Sequence, residues 1–390
     1  MHRPLPSLLE MIGELISLPT VSSADPSHDQ GNLAVVELLA GWAETLGFRV
    51  EIMPVSPGKA NLIAMLGASS VSDVPGGLVL SGHTDTVPCN PELWQSDPFQ
   101  ATERDDRIYG LGSADMKSFF ALVLEAASRY RASDLQRPLV IVGTADEESS
   151  MSGARRLLDQ NRRLGRYAVI GEPTGLRPIR MHKGVMMESI TIRGRSGHSS
   201  DPSLGANALE GMHAALGALL SWRSELRERW RNPGFAIDHP TLNLGVIHGG
   251  DNPNRICGCC EAQIDVRPLP GMNLDDLHDD LQTRLAHQLA AFPGLTLDVR
   301  RLFPGLPPFE TPADSDMVRS CEALSGQSAA AVAFGTEAPF FSRLGMETLV
   351  MGPGWIEQAH QPDEYLPLDH IKPGIGIISG LIERFCLRTP

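Results

Sequence analysis

One histidine and five acids in this chain fall in strand-end settings, a late segment offers a second histidine, and that placement points to chemistry. His83 and Asp85 lie in Ser81-Gly-His-Thr-Asp-Thr-Val-Pro88. They are two residues apart, so in extended chain both side chains leave on one face. Leu78-Val79-Leu80 reads as a short buried strand, and Pro88, which lacks an N–H, stops the ladder. An imidazole and a carboxylate thus stand at the rim of a sheet, where open α/β sheets bind ligands. A single His-x-Asp serves an ordinary surface pair equally well; the later segments give it weight. Asp115 sits in Gly110-Leu-Gly-Ser-Ala-Asp-Met-Lys-Ser118, at the mouth of a helix over about 116–130. The apolar strand Leu139-Val-Ile-Val142 runs into Gly143-Thr-Ala-Asp-Glu-Glu-Ser149, with Glu147 and Glu148. Tyr167-Ala-Val-Ile170 delivers Glu172 in Gly171-Glu-Pro-Thr174, and His360 arrives in Gln358-Ala-His-Gln-Pro-Asp-Glu-Tyr365.

Histidines among several carboxylates suit a borderline divalent ion such as zinc, cobalt or manganese. One ion takes about three protein ligands plus water, and here there are enough for two. In a two-metal site the ions stand ~3.5–4 Å apart, acidify water and polarise a carbonyl together. A free carboxylate beside them can carry the proton from water to a leaving nitrogen. Blander readings exist for single residues. Asp115 alone fits a helix N-cap. The acids at 146–148 fit a solvated loop, but a flanking strand and helix pin that loop at a sheet edge, and acids held together there need a cation among them. Cys257, Cys259 and Cys260 tempt a zinc reading, yet 256–266 reads as a strand with no second Cys/His pair at zinc-site spacing.

The elements that position these residues read as two kinds of domain. At 390 residues the chain exceeds one core of ordinary size. Helices are predicted over 7–18 and 29–46, strands over 48–53, 61–66 and 78–81. Continuous apolar strands such as 139–142 mark a mostly parallel sheet flanked by helices. After Gly184 the order changes to strand 187–193, helix 206–226, strands 241–247 and 256–266, helix 274–291 and strand 295–300. This β-α-β-β-α-β order is that of a two-layer α+β unit. The expectation is an α/β catalytic domain from 1–182 and 304–390, with an α+β domain from 183–303 inserted into it.

Composition bounds the partners. Hydrophobic residues are 42 % and charged residues 21 %, as in a globular enzyme and unlike a disordered chain. A net charge of −14 argues against nucleic acid, which needs a basic stripe. No apolar run approaches the ~18–20 residues of a membrane span. The first residues lack the apolar core and cleavage site of a signal peptide, so a cytoplasmic protein without a membrane partner is expected. Six cysteines are too sparse for a disulfide scaffold.

Taken together, the segments SGHTDTVP, GLGSADMKS, TADEESSM, GEPT, GHSSDP, TLNLGVIHGGDNPNRICGCCEAQIDVRPLPGM, FGTEAPF and QAHQPDEYL resemble the zinc-dependent M20 amidohydrolases and peptidases. NRICGCCE, FGTEAP and QAHQPDEYL resemble the members that remove acetyl groups from amino acids. The resemblance implies hydrolysis of an N-acyl amino acid by two divalent ions, Zn2+ foremost with Co2+ able to substitute, in a homodimer whose inserted domain serves as lid and dimerisation unit. Asp115 would bridge the ions, His83 and Glu172 would complete one and Glu148 and His360 the other. Glu147 would be the general base, and Asp85 would hold the His83 imidazole from behind. The family also implies a cis peptide at Asp115–Met116. His198 would steady the oxyanion in the partner's site, although a polar turn residue is its plain reading. Arg255, with Asn254, would grip the substrate α-carboxylate, and Thr336 and Glu337 would line the pocket; a surface arginine and a helix-start charge are the plain alternatives. Deacetylases, a desuccinylase, aminoacylases and dipeptidases share this ligand set, and a non-catalytic metal-binding protein of the same fold is the reading from another class.

Overall fold

The computed structural model describes residues 5–67 and 76–387. The chain forms two compact units: unit 1 is Met1–Arg180, Thr311–Ala330 and Thr336–Pro390, and unit 2 is Met181–Glu310 with Ala331–Gly335. In chain order the strands are β1 (Arg49–Ser56), β2 (Lys59–Leu66), β3 (Leu78–His83), β4 (Thr102–Arg104), β5 (Arg107–Tyr109), β6 (Leu139–Thr144), β7 (Tyr167–Pro173), β8 (Ile179–His182), β9 (Met186–Arg193), β10 (Thr241–Gly249), β11 (Cys259–Arg267), β12 (Thr296–Arg301), β13 (Phe309–Glu310), β14 (Ala330–Val332), β15 (Glu347–Gly352) and β16 (Tyr365–Pro367). The helices are α1 (Leu8–Ser17), α2 (Leu33–Thr45), α3 (Lys117–Ala127), α4 (Ser152–Asp159), α5 (Ala208–Arg229), α6 (Leu274–Leu289), α7 (Asp316–Ser325), α8 (Ala338–Arg343) and α9 (Ile371–Ile382).

Unit 1 is mixed α/β with a largely parallel central sheet. β6, β3, β7 and β15 lie side by side and parallel, with His83 opposite Thr144 and Val350 opposite Ile170. β2 joins β6 antiparallel and β1 closes that edge, also antiparallel. β3, β6 and β7 are buried along their whole length, which is why they read as continuous apolar runs. Helix α3 is buried on nearly every side and packs against α1, α9 and β3. Two glycines let it lie that close. A Cβ at Gly82 would stand 2.3 Å from the Met116 side chain, and one at Gly171 would stand 2.3 Å from the Phe119 ring. These are the residues just before His83 and Glu172, so the close packing also fixes two site residues.

Local departures from the sequence reading have local causes. α2 begins at Leu33 instead of Asp29, because the Asp29 carboxylate accepts the Ser23 N–H and the Lys59 ammonium. α3 begins at Lys117 with Met116 at its cap, so Asp115 is not a helix cap. The Asp115–Met116 peptide is cis. A small sheet of order β16-β5-β4 escaped the sequence reading.

Unit 2 holds an antiparallel sheet of order β10-β11-β9-β12. Helices α5 and α6 pack on each other and on its strands. The apolar core includes Ile190, Ile192, Met212, Leu219, Trp222 and Leu285. The element order is β9-α5-β10-β11-α6-β12. β11 begins at Cys259 rather than Ile256, because 256–258 bond to other segments: Ile256 N–H to Gly197 O, Ala208 N–H to Cys257 O and Gly194 N–H to Gly258 O.

Candidate metal centre

The carboxyl ends of the parallel strands carry the site. β3 ends on His83, β7 carries Glu172 near its end, and β6 runs into the loop holding Glu147 and Glu148. The segment after β15 brings His360. His83 Nε2 stands 3.0 Å from Asp115 Oδ1 and 3.9 Å from Glu172 Oε2. His360 Nε2 stands 3.1 Å from Glu148 Oε2 and 3.7 Å from Asp115 Oδ2. Three groups have ligand atoms within 4.8 Å of one another: His83, Asp115 and Glu172; Asp115, Glu148 and His360; and His83, Glu147 and Glu148. Asp115 belongs to the first two. The structure thus brings together six of the residues singled out in unit 1.

Asp85 meets the His83 imidazole from behind through its main chain, while its carboxylate has other partners. The His83 Nδ1 bond, at 2.8 Å, goes to the Asp85 carbonyl, which leaves Nε2 facing Asp115 and Glu172. The Asp85 carboxylate stands 3.8 Å from Nδ1 and accepts the N–H groups of Glu147 and Glu148 at 3.2 and 3.1 Å. It fixes the loop that bears two other site carboxylates.

Asp146, not singled out by the sequence reading, completes that fixing. It has φ of +59°, in the sparsely populated left-handed region. Its carboxylate accepts Ser22 Oγ and Ser152 Oγ at 2.9 Å and pairs with Lys59. His360 also has a positive φ, of +61°. Such strain clusters at sites where surrounding structure over-determines it. Glu337 stands at the start of α8, the position of the helix-start charge considered above, and is fully buried there. Its Oε2 accepts the Thr144 hydroxyl at 2.8 Å, and Oε1 has no hydrogen-bond partner among the described residues. Thr336 is buried, and its Oγ1 accepts the Ala338 N–H.

The electrostatics describe acids short of a cation. Burial, then the nearby Glu172 carboxylate, pushes Glu147 well above the usual carboxylate range. Burial pushes Glu172 well above it too, with Asp115 adding to the shift. Burial raises Asp85 to about 6 and Glu337 to about 7. Burial opposes the charged form of His83, but Asp115, Glu172 and Asp85 outweigh it and hold its pKa well above the ordinary value. The hydrogen bond with Glu148 raises His360 to about 9. Oxygen and imidazole donors crowded in this way fit divalent ions, which supply the missing positive charge.

In unit 2, His198 and Arg255 are partners in an isolated antiparallel bridge, and the Asn254 carbonyl accepts the Ser199 N–H. All three are exposed. His198 Nδ1 bonds Ser200 Oγ at 2.8 Å, and Arg255 Nη1 pairs with Asp251 at 2.6 Å.

Residues 79–384 match the family described as Peptidase family M20/M25/M40. The chain belongs to that family. It is 48 % identical over 389 residues to an acetylornithine deacetylase of Proteus mirabilis, covering 99 % of each chain. It is 48 % identical over 382 residues to one of Vibrio vulnificus, covering 98 % of this chain and 99 % of the other. Among solved structures it resembles an aminopeptidase PepT of Bacillus cereus, with TM-score 0.76 at 19 % identity and 96 % and 97 % of the two chains covered. It also resembles the YXEP protein of Bacillus subtilis, described as a dinuclear metal-binding M20 peptidase, with TM-score 0.68 at 14 % identity and 96 % of each chain covered. These structures share the M20 fold. The family membership and the full-length relatives make the chain a hydrolase of amide bonds. Among the described residues, no helix is long and apolar enough to cross a membrane.

Proposed function

We propose that this M20 hydrolase removes the acetyl group of N2-acetyl-L-ornithine, giving L-ornithine and acetate for arginine biosynthesis in the cytoplasm. The observation that carries the reading is the pair of ligand triads sharing Asp115, with Glu147 beside them, in a chain about half identical from end to end to curated acetylornithine deacetylases. Two ions, Zn2+ foremost and Co2+ as a substitute, suit the donors: His83 and Glu172 on one side of Asp115, Glu148 and His360 on the other. When bound, such a pair polarises the amide carbonyl and acidifies water.

The chain's own residues supply the rest. Glu147 takes one proton from the attacking water and returns it to the leaving nitrogen, so the base is regenerated with each turnover. Asp85 holds the Glu147 and Glu148 backbone, which keeps that carboxylate in reach. Arg255 is assigned the substrate α-carboxylate through its fork of donors, with Asn254 beside it. Thr336 is assigned to the pocket wall. His198 is assigned to the oxyanion, offered by the neighbouring chain of a homodimer.

A panel of N-acyl amino acids, assayed with added Zn2+ or Co2+, tests the substrate. N2-acetyl-L-ornithine should give the highest kcat/KM. A clear preference for acetylcitrulline or a succinylated diamino acid overturns the substrate and leaves amide hydrolysis in place. No hydrolysis of any member, with two ions bound, favours a non-catalytic metal-binding protein.

A further inference from the structure

Glu364 ties the segment carrying Asp115 to the loop carrying His360, and the chemistry above does not use it. It is 1 % exposed. Its Oε1 accepts the N–H groups of Ala114 and Asp115 at 2.8 and 2.9 Å, and its Oε2 accepts that of Gly112 at 3.1 Å. Its carbonyl accepts the Gly110 N–H at 3.0 Å. Four backbone donors of one short segment therefore end on a single residue, four positions beyond His360. That segment has glycines with φ of +155° and +78° at Gly110 and Gly112, so its path is set by what its N–H groups bond to.

We infer that Glu364 is a positioning residue that sets His360 against Asp115 at the spacing an ion between them requires. The inference rests on the metal-pair reading above. The two imidazoles depend on it unequally. His83 ends a buried strand, is 1 % exposed, and has Nδ1 fixed by the Asp85 carbonyl. His360 has a side chain 55 % exposed on a left-handed loop residue. Among the described residues its ring meets the Glu148 carboxylate and, farther off, that of Asp115, and both are groups that an ion would claim. Along its own chain Asp363 accepts the Gln95 N–H, and the Glu364 carboxylate is the anchor that reaches the Asp115 segment. Loosening that anchor should release the ion shared by Asp115, Glu148 and His360, while the one shared by His83, Asp115 and Glu172 keeps its strand-borne ligands.

The test is a Co2+ titration of the full metal-free chain, followed by calorimetry and by the visible absorption of the bound ion. Wild type should take up two ions. Glu364→Gln keeps an acceptor for Ala114 and Asp115 but turns an amide N–H2 toward the Gly112 N–H. It should bind its first ion within about threefold of wild type and its second about 10–100-fold more weakly, the usual range for losing a group behind a ligand. Excess Co2+ should restore kcat. Glu364→Ala should show the same split, more strongly; its metal-free melting curve reports whether it folds, and Glu364→Gln carries the test if it does not. A Gln variant that binds both ions as wild type does, or loses both equally, overturns the positioning role alone. A wild-type chain that takes up fewer than two ions overturns the metal-pair reading along with it.

Discussion

The two clusters of site residues are held in opposite ways. In unit 1 His83, Glu147, Glu148 and Glu172 come from strand ends, Asp115 and His360 from loops, and third parties fix them: the Asp85 carboxylate on the Glu147 and Glu148 N–H groups, the Asp85 carbonyl on His83, Glu364 on the Asp115 segment. In unit 2, His198, Asn254 and Arg255 sit on turns, open to solvent and bonded mostly to neighbours within four residues. The first cluster is arranged by the fold. The second has no geometry of its own that performs chemistry, and any role it has must come from what it meets. Substitutions should therefore act differently in the two places: on rate in the first, on binding or across subunits in the second.

The largest effect is expected at Glu147. Glu147→Ala should keep two bound ions, counted by metal analysis, and lose about 10²–10⁴-fold in kcat, the range of a general base. Retained turnover would remove Glu147 from that role. His198→Ala should cost less, about 10²–10³-fold in kcat, as for one oxyanion donor. Its sharper form mixes the two inactive variants. If His198 acts across subunits, a mixed dimer of Glu147→Ala and His198→Ala chains has one intact site and regains activity; if it acts within its own chain, the mixture stays inactive. Arg255→Lys should raise KM about tenfold and change kcat little, because a point charge replaces a bidentate fork. A drop in kcat with KM unchanged would move Arg255 from binding to chemistry.

How much of this was legible in sequence follows the same division. The strand ends bearing His83, Glu147 and Glu172 were readable because strands buried on both faces are unbroken apolar runs with an abrupt polar stop. The β-α-β-β-α-β order of unit 2 was readable from its periodicities. The small sheet was not, since β4, β5 and β16 have three residues each, too few to show a period. Asp146 and Glu364 escaped because their work is on backbone N–H groups, hydroxyls and one lysine, and such partners leave no spacing signature. Glu337 was weighed as a helix-start charge, which holds only for a solvated helix end. The FGTEAPF helix starts inside the core instead, and there Glu337 meets Thr144.

The smallest expected effect concerns stability, and it sharpens the contrast because only the first cluster should show it. Burial raises Asp85 to about 6 and Glu337 to about 7, and burial with neighbouring acids holds Glu147 and Glu172 well above the usual range. Between its ordinary pKa and its raised one, each such group binds more protons in the folded chain than in the unfolded chain, so stability falls as pH rises. His360, raised to about 9, acts in the same direction above its ordinary 6.5, since the charge that favours folding is lost as pH climbs. Asp115 is held low and matters only below the carboxylate range; Lys117, pushed by burial to about 7, acts oppositely but only above that pH. From pH 5 to 7 His370, lowered by burial, opposes them, and the several raised acids, Glu364 among them, outweigh it. The chelated protein should lose several degrees of Tm across that interval. The metal-loaded protein should lose much less, because bound cations keep the same carboxylates ionised in the folded state. A chelated chain with a flat Tm over this range would mean that the acids find their counter-charge elsewhere in the fold, and the case for cations at this centre would lose its electrostatic support.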